Sequence, residues 1–155
     1  MSTAPSSSST TAPVAPAATP TLVAPAVPRI EATELGALLE SADAKPLVVD
    51  VRDPATSGGF IKGAINVPKV LFDTDEFVDD FVEKHATPGA VMVFHCLNSN
   101  GRGPTAAGRV YDRIQAKFAD DDKNKPQVHV LRGGFRVFSE TYGLDSPLVD
   151  PSDLH

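Results

Sequence analysis

The sequence predicts an α/β fold built on an open, largely parallel sheet. Short apolar runs rich in β-branched residues alternate along the chain with segments whose apolar residues recur at helical spacing. The first charged residue is Arg29, and the stretch 29–155 has the usual size of one domain with its own core. One α/β domain is therefore predicted.

The first helix is predicted to be capped by Thr33, a residue type that favours helix N-termini. Its apolar face would carry Leu35, Leu38 and Leu39, which have the spacing of one helical face. The run at 47–51 follows, and its β-branched residues are typical of a buried strand.

A glycine-containing loop and a short apolar run at 64–67 come next, and then a second helix. Asp73 and Glu76 have the spacing of a capping box, so this helix is predicted to begin at Asp73. Its apolar stripe consists of Phe77, Val78, Phe81 and Val82.

The most apolar strand candidate is 90–95, and the helix predicted after it has Pro104 in its first turn. Another buried strand is predicted at 128–131. The Gly-Gly pair at 133–134 then turns the chain into a short helix over about 135–142.

The two ends of the chain differ from this domain in composition. Residues 1–28 are rich in Pro, Ala, Ser and Thr and hold no Asp, Glu, Lys or Arg, which predicts a disordered tail. Transit peptides are also poor in acids but rich in Arg, so organelle targeting by this segment stays open as an alternative. Residues 146–155 are expected to form a C-terminal tail, a boundary that comes from the family resemblance described below, which leaves 29–145 as the domain.

Composition also excludes several classes of protein. No stretch approaches the roughly 18 consecutive apolar residues of a membrane-spanning helix, so no membrane partner is expected. A pI near 5.1 disfavours a nucleic-acid partner. The one cysteine can form neither an internal disulfide nor a Cys-based zinc site, so we expect no metal and a reducing compartment, cytoplasm or nucleus.

The candidate chemistry lies where the strand at 90–95 ends, because ligands of open α/β sheets bind at the carboxyl ends of strands. Cys96 follows that strand directly, and the amides and dipole of the next helix favour its thiolate. Five residues separate Cys96 from Arg102, enough for successive backbone N–H groups to face one centre. Arg102 can bind two oxygens of a tetrahedral anion. This combination suits nucleophilic attack on phosphorus or arsenic.

Three further side chains have predicted roles around this loop. Ser99 is placed to donate a hydrogen bond to the thiolate. His95, the last strand residue, is expected to brace the loop rather than transfer protons. Asp50 is expected to hold the neighbouring loops together.

The segment 95–104 (His-Cys-Leu-Asn-Ser-Asn-Gly-Arg-Gly-Pro) resembles the active-site motif of the rhodanese-fold cysteine phosphatases. That family includes the cell-division-cycle (M-phase inducer) dual-specificity phosphatases and the related eukaryotic arsenate reductases. Residues 49–66, with Asp50 and Arg52, resemble its first characteristic block, and 130–135 resemble its closing block.

The resemblance covers about residues 29–145 and implies a rhodanese-like three-layer fold, a mostly parallel central sheet with helices on both faces. It implies that Cys96 is the nucleophile and that Arg102 binds the oxyanion. The substrate-binding residues it implies are Leu97, Asn98, Ser99, Asn100, Gly101 and Gly103. The supporting residues are Asp50, Arg52 and His95.

The expected function is that of a cysteine-dependent phosphomonoesterase of the protein tyrosine or dual-specificity type, acting through a phosphocysteine. It would need no cofactor and would take a phosphorylated protein or a small oxyanion. The main alternative is an arsenate reductase that uses the same cysteine, with glutathione as co-substrate and a glutaredoxin as partner. A thiosulfate sulfurtransferase is disfavoured because that branch typically has four residues between Cys and Arg. A non-catalytic phospho-binding module is disfavoured because it has no evident need for Cys96.

The loop departs from the family at Gly101, where the cell-cycle phosphatases commonly have an acid. No loop residue can then protonate a leaving alkoxide, and Asp50, Asp53 or an acid outside the loop would have to do so. The chain also lacks the second cysteine that protects some family members.

Overall fold

The computed structural model describes residues 24–41, 46–53, 59–97, 101–119, 121–143 and 145–150. In chain order the elements are β1 (Arg29–Ile30), α1 (Ala32–Glu40), β2 (Leu47–Asp50), β3 (Phe60–Ile61), β4 (Ile65–Asn66), a 3₁₀ helix (Lys69–Asp73), α2 (Asp75–His85), β5 (Val91–His95), α3 (Arg102–Lys117), β6 (Gln127–Leu131), α4 (Gly134–Tyr142) and β7 (Val149–Asp150).

Five of these strands form one parallel sheet in the order β1-β6-β5-β2-β4. The central strand is β5, and its register with β2 places Asp50 opposite His95. All five carboxyl ends therefore lie at one edge of the sheet, next to Cys96. Strands β3 and β7 form a separate antiparallel pair.

Helices cover both faces of this sheet. On one face α1 and α4 pack over an apolar cluster that contains Leu35, Val93 and Phe138. On the other face α2, α3 and the 3₁₀ helix pack over a cluster that contains Phe81 and Phe94. Successive β5 residues thus point to opposite faces, and the predicted three-layer α/β fold is confirmed.

Both predicted helix caps are wrong by one or two residues. Thr33 lies inside α1. The N-cap of α1 is Glu31, and the Glu31 backbone N–H donates to Glu34 Oε1 at 2.9 Å. Asp73 ends the 3₁₀ helix, and Thr74 caps α2 by accepting from the Phe77 N–H at 3.3 Å. Asp73 belongs to the 3₁₀ helix, so α2 begins only after it.

The packed residues extend past both predicted boundaries, the one at 29 drawn from composition and the one at 145 drawn from the extent of the resemblance. Val27 is 2% exposed, and its carbonyl and that of Ala24 accept hydrogen bonds from Arg29. At the other end Leu148 and Val149 are buried, and β7 pairs with β3. Residues 24–28 and 146–150 therefore belong to the domain rather than to tails.

Within the described ranges, no helix has the length and apolar character needed to cross a bilayer.

Candidate active site

Cys96 lies directly after the central strand, at the edge where the parallel strands end. It is 4% exposed and belongs to the apolar cluster beneath α2 and α3. The His95 carbonyl accepts a hydrogen bond of 2.9 Å from the Val51 N–H, which ties the end of β5 to the end of β2. The nucleophile candidate thus lies where the ends of two adjacent central strands are bonded to each other.

The segment 96–102, called here the Cys96 loop, connects β5 to α3. Leu97 is 43% exposed, Gly101 is exposed as the N-cap of α3, and Arg102 is the first, exposed residue of that helix. The loop therefore has a buried thiol at one end and an accessible guanidinium at the other. Three predicted site residues lie outside the described residues: Asn98, Ser99 and Asn100.

Gly103 lies behind the loop, buried against the backbone of the strand end. A Cβ at this position would lie 3.0 Å from the Cys96 N and 3.1 Å from the His95 Cα. A side chain there would need the backbone to move, so glycine lets the start of α3 approach Cys96 closely.

Asp50 and Arg52 form a buried ion pair beside the site. Asp50 is fully buried and Arg52 is 2% exposed. The guanidinium Nη2 donates to Asp50 Oδ2 at 2.7 Å and to the Gly59 carbonyl at 2.9 Å, and Nε donates to Asp50 Oδ1 at 3.0 Å. The predicted structural role of Asp50 agrees with this geometry, because the pair joins β2 to the segment before β3.

This pairing determines the charge of Asp50. Burial acts to raise the pKa of Asp50, but the hydrogen bonds from Arg52 and the nearby His95 outweigh it, so the pKa lies below its ordinary value. Asp50 is therefore an anion at neutral pH and has no proton to give a leaving group. Asp53 is exposed at the end of the same segment.

Two aromatic rings lie against the ion pair, and one of them connects it to the end of β5. The Arg52 guanidinium lies 4.6 Å from the Phe135 ring centroid and 5.5 Å from that of Phe60. Phe135 also stacks on His95, with centroids 6.4 Å apart. The Asp50–Arg52 pair thus supports the strand end through Phe135.

His95 contacts the loop as expected of a bracing residue. It is fully buried, and its Nδ1 lies 3.0 Å from the Cys96 carbonyl oxygen. That carbonyl is an acceptor only, so the contact is a hydrogen bond when Nδ1 carries the proton.

Sequence reasoning did not assign α4 to this site. The Phe135 N–H donates to the Cys96 carbonyl at 3.0 Å, and the Arg136 N–H donates to the Leu97 carbonyl at 2.9 Å. The sequence signal is the Gly133–Gly134 pair, which predicts a turn into a short helix but not the contact of that helix with the Cys96 loop. The starts of α3 and α4 therefore both lie at the Cys96 loop, where their N-terminal dipoles favour an anion.

No group of three or more His, Cys, Asp or Glu side chains among the described residues is arranged to hold a metal ion.

Comparison with known proteins gives a family match over most of the chain. The family described as "Rhodanese-like domain" matches residues 31–141. The chain is 31% identical over 118 residues to the dual specificity phosphatase ibp1 of Schizosaccharomyces pombe, covering 66% of this chain and 81% of that protein. It is 32% identical over 117 residues to human M-phase inducer phosphatase 1, covering 72% of this chain but only 21% of that protein.

Two solved structures are similar over most of their length. Ygr203w, a yeast protein tyrosine phosphatase of the rhodanese family, superposes with a TM-score of 0.63 and 26% identity, covering 81% of this chain and 92% of that one. The As-Sb reductase of Leishmania major superposes with a TM-score of 0.64 and 29% identity, covering 79% and 84%.

Proposed function

We infer the function of this chain from its family and its site: the chain belongs to the rhodanese-like domain family. We propose that it is a cysteine-dependent phosphomonoesterase of the protein tyrosine or dual-specificity type. One observation carries the proposal: Cys96 directly follows the central strand, and Arg102 begins the next helix after five intervening residues. The naming of its relatives as phosphatases supports the same conclusion.

The reaction proceeds in two steps. The Cys96 thiolate attacks phosphorus, an S–P bond forms and the P–O bond to the leaving group breaks. Water then attacks the phosphocysteine, releasing inorganic phosphate and restoring the thiolate. Arg102 and the loop amides bind the charge that builds up on the phosphoryl oxygens in both steps.

The leaving group is where this chain departs from the motif of the cell-cycle phosphatases that it resembles. Gly101 has no proton to donate, and Asp50 is held as an anion by Arg52. An alkyl phosphate leaves as a strongly basic alkoxide that needs a proton, whereas an aryl phosphate leaves as a weakly basic phenolate. The proposed enzyme therefore prefers aryl substrates, which include phosphotyrosine in proteins, over phosphoserine and phosphothreonine.

A second function is supported by the likeness to the As-Sb reductase and by the same missing acid. Arsenate has the shape and charge of phosphate, and one of its oxygens can leave as water. The two electrons that convert As(V) to As(III) would come from two glutathione thiols, which form a disulfide, with a glutaredoxin as the partner. Cys96 would be the only thiol that this chain supplies.

The compartment proposed for either activity is a reducing one, the cytoplasm or the nucleus. The support is chemical, because the nucleophile must stay a thiolate and no second cysteine exists to trap its sulfenic acid as a disulfide before over-oxidation.

One assay series separates the candidate functions. Purified protein is given an aryl phosphate, arsenate with glutathione and glutaredoxin, and thiosulfate with cyanide, in parallel. Hydrolysis of the aryl phosphate with a steep dependence on leaving-group pKa is expected, and Gly101→Glu should flatten that dependence if its carboxyl reaches the leaving oxygen. Turnover of arsenate alone would replace the phosphatase by the reductase, and binding of phosphate with no turnover at all would leave a phospho-binding module.

A further inference from the structure

The first turn of α4 is bonded to the backbone of the Cys96 loop rather than to its own helix. The N–H groups of Phe135 and Arg136 donate to the carbonyls of Cys96 and Leu97, at 3.0 and 2.9 Å. These N–H groups belong to the first turn of α4, and the N–H groups of a first turn have no carbonyl acceptor inside their own helix. The loop therefore takes the capping position that a side chain usually fills.

Gly134 makes this approach possible. A Cβ on Gly134 would lie 2.5 Å from the Cys96 carbonyl oxygen and closer still to that of Leu97. Both contacts are with backbone atoms, which cannot rotate away as a flexible side chain would. Gly134 also has a φ of +62°, a conformation that favours glycine.

The held carbonyl determines where the neighbouring amide points. In a planar trans peptide the C=O and the N–H point in opposite directions. Because α4 and His95 both bind the Cys96 carbonyl, the N–H of Leu97 is directed away from α4. A loop amide needs a fixed direction of this kind to face an anion without reorganising.

We propose that Gly134 is a positioning residue. Because Gly134 has no side chain, α4 can approach the Cys96 loop and fix the Cys96–Leu97 peptide. The fixed peptide orients the Leu97 N–H for oxyanion binding and holds Cys96 at the loop floor. This inference rests on the proposed function, because it assigns the amide to the oxyanion of that reaction. The motif at residues 95–104 does not include Gly134 and does not indicate this role.

The adjacent glycine supplies a matched control. Gly133 has a φ of +78°, and a Cβ there would meet the side chain of Val137 instead of the loop. Gly133→Ala and Gly134→Ala therefore add the same methyl group at neighbouring positive-φ positions. Only the methyl group of Gly134→Ala would contact the backbone of the Cys96 loop.

Two readouts test the proposal. The first is kcat/KM on an aryl phosphate, which we expect to fall about 10²-fold in Gly134→Ala, the usual loss when one oxyanion donor is misplaced. The second is the ratio of Cys96 alkylation rates by iodoacetate and by neutral iodoacetamide, which compares an anion with an uncharged probe at the only thiol of the chain. This ratio needs no turnover and should fall severalfold in Gly134→Ala while Gly133→Ala keeps both values.

Each outcome decides the question. Equal losses in the two variants, or an unchanged alkylation ratio in Gly134→Ala, would overturn the proposal. If Gly134→Ala does not fold, Gly134→Asn and Gly133→Asn repeat the comparison with less backbone strain, since Asn accepts positive φ more readily. If neither Gly134 variant folds while both Gly133 variants do, Gly134 serves folding and the proposal is wrong. A wild type that hydrolyses no phosphate refutes the proposed function, and the alkylation ratio still tests Gly134.

Discussion

Arg102 and Cys96 differ in exposure, and the difference fits their chemistry. The thiol is 4% exposed at the loop floor, whereas Arg102 is exposed at the first position of α3. A nucleophile benefits from exclusion of water, and a guanidinium that reaches the substrate first can bind its oxygens before attack. In the proposed site, Arg102 would bind two substrate oxygens through its planar fork as well as through its charge.

Arg102→Lys should lose at least about tenfold in kcat/KM on an aryl phosphate, which corresponds to about 1.4 kcal/mol. The reason is that an ammonium is a point charge and cannot bind two oxygens at once. Arg109→Lys on the same helix is the control, since Arg109 pairs with Asp75 at the surface and should keep full activity. Retention of more than a tenth of the wild-type value in Arg102→Lys would exclude a bidentate role.

Asp50 has a role in stability that depends on pH. Burial acts to raise the pKa of Asp50 in the folded protein, but the hydrogen bonds from Arg52 and the electrostatic effect of the nearby His95 lower it further, so the pKa lies below its ordinary value of 3.8. The stabilisation of the folded state by the Asp50 anion is therefore complete above pH 3.8 and is lost as the pH falls through the lower pKa of the folded protein. Asp50→Asn should cost about 3–5 kcal/mol at neutral pH because it leaves Arg52 buried without its anion. That cost should shrink below about pH 4.

Urea unfolding of both proteins between acidic and neutral pH measures this difference. Asp79→Asn removes one carboxylate from an exposed pair with Arg113 and serves as the control, with little change expected. A loss of stability in Asp50→Asn that is the same at every pH would contradict the account.

Among the elements, α2 shows how a local contact decides where a helix starts. Thr74→Ala should destabilise the protein by about 1 kcal/mol, because the Thr74 hydroxyl accepts from the Phe77 N–H. Asp73→Ala removes the residue that the sequence pattern favoured as the cap, and it should have the smaller effect because Asp73 only pairs with Lys69 at the surface. Thermal unfolding of the two variants compares them directly, and the reverse order would restore the cap at Asp73.

The long elements were predictable because their sequence carries a period. The segments that form β2, β5 and β6 are runs of β-branched and apolar residues, and the segments that form α2 and α3 have a clear apolar face. The strands β1, β3 and β7 have two residues each, too few to show any alternation. Their existence depends on pairing partners far away in the chain, which no local pattern contains.

The site likewise contains features that a local sequence pattern indicates and features that depend on distant residues. The positions of Cys96 after β5 and of Arg102 at the start of α3 agree with the sequence pattern, whereas their chemical roles stay predictions based on the spacing of the two residues. The Asp50–Arg52 pair was expected to support the site, but its contact with Phe135 brings together residues more than eighty positions apart. The role proposed for Gly134 could not be predicted, because a Gly-Gly turn in sequence does not reveal which carbonyls the following helix will meet.

On the scale of the whole molecule, the domain includes residues that composition assigned to the tail. Val27→Ala should cost about 2 kcal/mol in unfolding free energy, since it removes buried methyl groups from the core. Val70→Ala makes the same change at a side chain that is 65% exposed and should have little effect. Equal effects in a denaturant titration would mean that Val27 does not pack on the domain.

The central claim is that Cys96 carries the phosphoryl group during turnover, and mass spectrometry of protein quenched in denaturant during aryl phosphate hydrolysis tests it directly. The account predicts one phosphoryl group on Cys96 in the wild type and none on Cys96→Ser, which should lose turnover while still binding tungstate, a tetrahedral oxyanion. Unmodified Cys96 at every quench time during turnover, or hydrolysis by Cys96→Ser at the wild-type rate, would contradict it.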